Sequence, residues 1–346
     1  MTDRFLRDLP KVQLHCHLEG TLQPATFIDL ARKHGVALTY RRGEAAPQSV
    51  PATPDPARVY DFATFNDFLM TFAAVSRSLA TPEDYRRLAY EYVEDALSQN
   101  VVRSELFVSP SVWQFFHPDI DVRACVRAMR GEFDRVRDRL IIALIFDVTR
   151  NFGVERAMAT AVQAADLQDL GVIGIGLGGD EAKFPAELFE DVFAFAAEQG
   201  LYRVAHAGEA AGAQSVQRAV ELLGAQRIGH GLRAIDDPNV VDLLARARIP
   251  LEVCPTSNMR TGVAKRDEPH ALVELDRRGC IVTIDADDPA LFRTSITDEY
   301  AYVEGVTSRE TLLRFVRNAI DAAFADQSQK AALHSRLEAY LTHVRT

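Results

Sequence analysis

Val12-Gln13-Leu14-His15-Cys16-His17-Leu18 lies near the N-terminus and alternates apolar with polar residues. That period of two predicts a β-strand. Side chains two apart on a strand share a face. His15 and His17 therefore point one way, and Cys16 points the other way with Leu14 and Leu18. Two imidazoles on one rigid strand begin a site for a divalent transition metal, because imidazole suits zinc.

Seven further β-rich runs follow: Val101–Val108, Leu140–Asp147, Val172–Leu177, Tyr202–His206, Arg227–His230, Pro250–Cys254 and Cys280–Asp285. Helical patterns separate them. Asp84–Ser98 is amphipathic, with Pro82 in its first turn and Thr81 as its cap. Asp121–Asp138, Val154–Leu167, Ala186–Gln199, Ser215–Leu223, Pro238–Ala247 and Pro269–Arg278 fill the other gaps, the last two beginning at proline. Val306–His343 reads as two closing helices. Strands alternating with helices imply parallel βαβ units, and eight such units predict an α/β fold, a closed (β/α)8 TIM barrel.

About 80 residues separate the first two strands. Gly43–Pro56, rich in Pro, Ala and polar residues, predicts an exposed loop. Tyr60–Phe72 predicts a helix dense in aromatics. Loops after barrel strands lie over the active site, so residues 40–80 are expected to form a helical lid inserted in one domain spanning 1–346.

The bulk composition narrows the function. The chain has 346 residues and a formal net charge of −10, with 25% charged and 47% hydrophobic residues. The acidic balance opposes a nucleic-acid surface. No stretch approaches the roughly 20 apolar residues of a membrane helix. Cys16, Cys125, Cys254 and Cys280 are scattered without a CxxC pair, which favours a reducing compartment. Met1–Asp8 has no apolar signal core, and the expected location is the cytoplasm. No oligomeric state is implied.

The chemistry-bearing residues fall at the C-terminal ends of the predicted strands, the active-site face of a barrel. His15 and His17 end the first. Gly178-Gly179-Asp180-Glu181 follows the fourth, His206-Ala207-Gly208-Glu209 ends the fifth, His230-Gly231 ends the sixth, and Asp287-Asp288-Pro289 follows the eighth. Three imidazoles (His15, His17, His206) and a carboxylate from Asp287 or Asp288 make one mononuclear zinc site per chain. Its open position would hold water whose pKa the metal lowers toward ~7. Glu209 stands where a carboxyl exchanges a proton with a substrate beside the metal, and His230 where an imidazole takes the proton of that water, the alternative being a fourth imidazole ligand.

HxH, GGDE, HAGE, GHG, CPTSN and DDP, in this order from His15 to Phe292, resemble the adenosine deaminase family of the amidohydrolase superfamily. The resemblance implies zinc on His15, His17, His206 and Asp287. It implies that Glu209 protonates purine N1, that His230 orients and deprotonates the attacking water, that Asp288 bonds N7, and that the Gly179 N–H faces N3. Water then attacks C6 and ammonia leaves, converting adenosine to inosine, so the implied partner is a small purine. The CxxC signature of cytidine-type deaminases is absent. No lysine ends a predicted strand, which opposes a two-metal hydrolase with a bridging lysine.

Substrate choice within the family turns on a few positions. Glu19 stands where many adenosine deaminases carry an Asp that contacts the ribose 5′-hydroxyl, and HLEG resembles the adenine and aminodeoxyfutalosine branches. Cys254–Asn258 with Thr261-Gly262 looks more like adenosine deaminases. The nucleoside is expected over the free base. A 5′-modified adenosine such as 6-aminodeoxyfutalosine and adenine are the alternatives. Phe65, Phe68 and Leu69 of the expected lid, with Glu19, are expected to line the 5′ end.

Overall fold

The computed structural model describes residues 4–40, 48–49 and 54–345. Eight strands form one parallel sheet in sequence order: β1 Lys11–His17, β2 Val101–Val108, β3 Ile141–Thr149, β4 Val172–Gly178, β5 Tyr202–Ala207, β6 Arg227–His230, β7 Pro250–Val253 and β8 Ile281–Ile284. Helices between the strands cover the outside, as the (β/α)8 barrel requires. Every residue of β1 and β2 is buried, which is why these runs carry few solvent-facing side chains.

The seam between β1 and β8 closes through side chain and backbone together. The Asp285 carboxylate accepts the N–H groups of Leu14 (2.5 Å) and His15 (3.0 Å). Beyond it, His17 N–H donates to the Asp287 carbonyl (2.9 Å) and Asp287 N–H to the His15 carbonyl (3.1 Å). The barrel interior is filled by Phe107, Ile145 and Val204, while the larger apolar core lies between strands and helices. Below them, Arg227 bridges Glu105 (2.5 Å) and Glu252 (2.5 Å), and Arg103 meets Glu105 (2.7 Å), all buried. Buried charges persist only when paired in this way. The four cysteines are buried and unpaired. No helix of the described residues is long and apolar enough to cross a membrane.

Several element boundaries differ from the sequence reading, each for a capping reason. Pro82–Ser98 begins as expected, with a capping box between Thr81 and Asp84. The aromatic helix runs Phe65–Ser78 rather than from Tyr60, because Thr64 accepts the Asp67 N–H and starts it there. The helix expected from Pro269 is Ala271–Arg277, capped by His270. Val306 ends a helix, Ile296–Val306, and the closing pair is Arg309–Ala322 and Gln327–Arg345. Pro24–Lys33, Pro110–Phe116 and Pro255–Arg260 are further helices, each starting on a proline. The loop expected at Gly43–Pro56 lies mostly outside the described residues; within it, Gln48–Ser49 pairs antiparallel with Thr39–Tyr40.

Candidate active site

The strand ends bring the distant histidines together. His17 Nε2 lies 3.1 Å from His206 Nε2, and His15 Nε2 and His17 Nε2 each lie 3.5 Å from Asp287 Oδ1. His15, His206 and His230 present nitrogens within 4.8 Å of one another. Phe107 stacks on His17 (centroids 5.1 Å apart, 26°) and leans on His15, forming an apolar plate behind the imidazoles.

This donor set fits a cation. His15 Nδ1 meets Glu252 Oε2 at 2.8 Å, so the Nδ1 proton goes to the carboxylate and Nε2 is turned inward. That Nε2 is buried and makes no hydrogen bond, an orphan atom aimed at the shared centre. Burial keeps the other rings neutral, as ligands must be, pushing His17 to about 4 and His206 well below its ordinary value. His15 differs. Burial opposes its charged form, but the nearby Asp287 carboxylate and the hydrogen bond to Glu252 outweigh it and hold the ring well above its usual range. Cys254 lies close to His15 and Asp287, yet burial raises its thiol, and Sγ donates to the Glu252 carbonyl.

Glu209 sits on a loop built by another carboxylate. Glu181, buried, accepts four consecutive N–H groups: Gly208 (2.6 Å) on Oε1, and Glu209 (3.1 Å), Ala210 (2.7 Å) and Ala211 (3.0 Å) on Oε2. The loop after β5 is thereby wound around the acid that ends GGDE. Burial first, then the charges of Asp287 and Glu181, pushes the Glu209 carboxyl up to about 8, so it carries a proton at neutral pH. Its Oε2 is 3.5 Å from His230 Nε2. Burial lowers His230 to about 3, leaving a neutral ring. The Asn258 amide nitrogen lies 3.1 Å from His230 Nδ1, and its buried amide oxygen has no partner. Turned over, the amide would set that oxygen on an Nδ1 proton and leave Nε2 to accept.

These groups open onto a cavity of about 290 Å³. Glu209, His230, Asp287, Asp288 and Gly179 line it, with Phe65, Phe68, Leu69 and Phe72 of the aromatic helix along one wall and Phe115, Phe116 and Phe152 at the lip. Gly179 has φ +97°, a turn that a side chain would strain, and a Cβ there would meet Asn151. Asp288 lies beside Asp287, and burial pushes its carboxyl well up.

Glu19 departs from the expected position. It does not line the cavity. Its carboxylate is fully buried behind the wall, accepting the Ser109 N–H (2.9 Å) and the Trp113 indole N–H (2.7 Å). Those two donors pull the side chain outward toward helix Pro110–Phe116.

The chain matches the adenosine deaminase family model over residues 10–340. The chain belongs to the adenosine deaminase family. An adenine deaminase of Vibrio parahaemolyticus is 34% identical over 344 residues, covering 97% of both chains. An aminodeoxyfutalosine deaminase of Streptomyces avermitilis is 34% identical over 345 residues, covering 97% of this chain and 92% of that one. A zinc-bound amidohydrolase from Burkholderia ambifaria superposes with a TM-score of 0.84 at 27% identity, covering 99% and 94%.

Within this family site, sequence reading missed Glu252, Phe107 and Asp147, and quoted Glu181 and Asn258 without a role. Glu252 and Asp147 interrupt apolar strand runs, and a charge inside a buried strand is the signal that marks them. Backbone strain was also invisible. His230 and Asp287 are both left-handed, with φ +61° each.

Proposed function

We propose that this family member hydrolyses the C6–N bond of a 6-aminopurine and releases ammonia. The observation that carries it is convergence: the imidazole and carboxylate cluster, a protonated Glu209 and a neutral His230 all open on one cavity. His15, His17, His206 and Asp287 are the proposed ligands of one divalent ion, zinc from the nitrogen and oxygen donor set. When bound, such an ion supplies Lewis acidity, which makes water nucleophilic near neutral pH.

The chain's own residues supply the rest. C6 of a purine is a poor electrophile until N1 is protonated, and Glu209 carries that proton. His230 Nε2 takes the proton of the attacking water. Asp288 and the Gly179 N–H hold N7 and N3, fixing the ring for attack. The phenylalanine wall excludes bulk water, which strengthens each of these interactions.

A second reading concerns what N9 carries. The apolar lip of Phe65, Phe115, Phe116 and Phe152 offers room for a substituent. A nucleoside, adenosine to inosine, or a 5′-modified adenosine such as 6-aminodeoxyfutalosine fits that room, beside the free base.

The test is metal analysis followed by ammonia release from adenine, adenosine and a 5′-extended adenosine. Zinc bound with no ammonia from any of them overturns the proposal.

A further inference from the structure

Asp147 is an acid that the proposed chemistry leaves unused. It lies on β3, paired with Gly176 of β4, and lines the cavity. The residue is 5% exposed, and its carboxyl accepts no hydrogen bond among the described residues; Oδ1 is wholly buried. A buried polar group without a partner calls for one. Burial pushes this carboxyl up to about 7, only partly offset by the charge of His15, and a bound donor would relieve that cost.

The sequence makes room for the carboxyl. A Cβ on Gly176 would fall 2.8 Å from Asp147 Oδ1, and one on Gly178 would fall 2.4 Å from Oδ2. β4 thus carries glycine where inward side chains would cover the acid. The same Gly176 position lies 2.6 Å from Phe107, the plate behind His17, so Asp147 stands at the depth of the imidazole cluster. Thr149 and Asn151 follow it toward the mouth.

Three adjacent strands therefore face one edge of a bound ring. Glu209 follows β5, Gly179 follows β4, and Asp147 is on β3. A purine presents N1, N3 and N9 in the same order. We infer that Asp147 accepts a hydrogen bond from the N9–H of a free 6-aminopurine, making the base itself, rather than a nucleoside, the substrate. This rests on the 6-aminopurine reading, with Glu209 at N1 and Gly179 at N3. A ribose hydroxyl would stand farther out, level with Thr149 and Asn151, leaving the Asp147 carboxyl facing a carbon-substituted nitrogen.

The experiment compares kcat/KM of the metal-loaded enzyme for adenine, 9-methyladenine and adenosine, in wild type and Asp147→Ala. Adenine should exceed the other two by about 100-fold or more in wild type, since a site built to bond an N–H rejects its absence. Asp147→Ala should lower adenine turnover by about 10- to 100-fold and leave 9-methyladenine unchanged or improved. Calorimetric binding of hypoxanthine against 9-methylhypoxanthine should show the same order without turnover. Should the variant not fold, the wild-type panel and the binding pair still decide. Adenosine turned over as well as adenine, or equal loss on adenine and 9-methyladenine in the variant, overturns the inference and leaves the 6-aminopurine reading standing. Ammonia from none of the three overturns both.

Discussion

Glu181→Gln removes one oxygen and one charge from the carboxylate that winds the Glu209 loop. Glu181 accepts one N–H on Oε1 and three on Oε2. A glutamine keeps a single acceptor. With its oxygen in the Oε2 place, its amide NH₂ faces the Gly208 N–H, so one charge-assisted bond worth about 1.5–3 kcal/mol is lost. The other three pass from charged to neutral acceptors, which roughly halves each. Ala210 and Ala211 are near the surface and water replaces part of the loss. A net cost of about 2–4 kcal/mol falls on the loop conformation, or ~30- to ~1,000-fold in its population. Turnover should drop by a similar factor. Metal content should not change, because His206 lies on β5 ahead of the loop.

The pH profile separates positioning from general damage. Glu181's charge is one of the groups that raises Glu209, after burial and Asp287. Removing it lowers the Glu209 carboxyl from about 8, so the protonated acid is lost at lower pH and the alkaline limb of kcat/KM moves down. The assay is kcat and KM for the best 6-aminopurine from pH 5 to 9, with metal content measured on the same samples. A kcat within about threefold of wild type and an unmoved alkaline limb would refute the reasoning.

Other substitutions test neighbouring claims. Glu209→Gln should keep metal and substrate affinity but cut kcat by ~10²–10⁴, and near-normal kcat removes Glu209 from proton transfer. His206→Ala should abolish or greatly weaken metal binding, and full occupancy by metal analysis would reassign the ligands. Glu252→Gln, which disturbs the acceptor holding the His15 Nδ1 proton, should weaken metal affinity by ~10- to 100-fold in a chelator competition; unchanged affinity contradicts that role. Burial raises the Glu299 carboxyl to about 7 against hydrogen bonds from Thr256 and Thr294, whereas the unfolded chain releases this proton near 4.5. Its contribution is therefore complete below pH 4.5 and is lost as pH rises through 7, roughly 3 kcal/mol across that window. Glu299→Gln should flatten that fall in denaturant melts at pH 5 and 8, and equal slopes in both proteins would contradict it.

The barrel, and the gathering of the candidate site's residues at its strand ends, were legible because both are written in local periods. β6, only four residues long, has the predicted bounds Arg227–His230, since GHG punctuates a buried run. Helix starts were less legible where a side chain decides them, as at Thr64 and His270. Glu181 shows a deeper reason. Its partners lie 27 to 30 residues away on the next strand's loop, so GGDE and HAGE are one structural unit that no single window contains. Glu19 shows the converse: a residue beside a proposed metal-binding pair is drawn away from the cavity by Trp113, 94 positions on.

The strain at Asp287 carries this argument to the site itself. A non-glycine residue at φ +61° is costly and persists only where surrounding bonds over-determine it. Here those bonds are its own N–H to the His15 carbonyl and its carbonyl from the His17 N–H. The contacts that seal the first strand to the last also set three of the proposed ligands against one another. A ligand set assembled this way is rigid only if the cylinder is closed. Loosening the β1–β8 seam, for instance by removing the Asp285 carboxylate that spans it, should therefore weaken metal binding without touching a ligand.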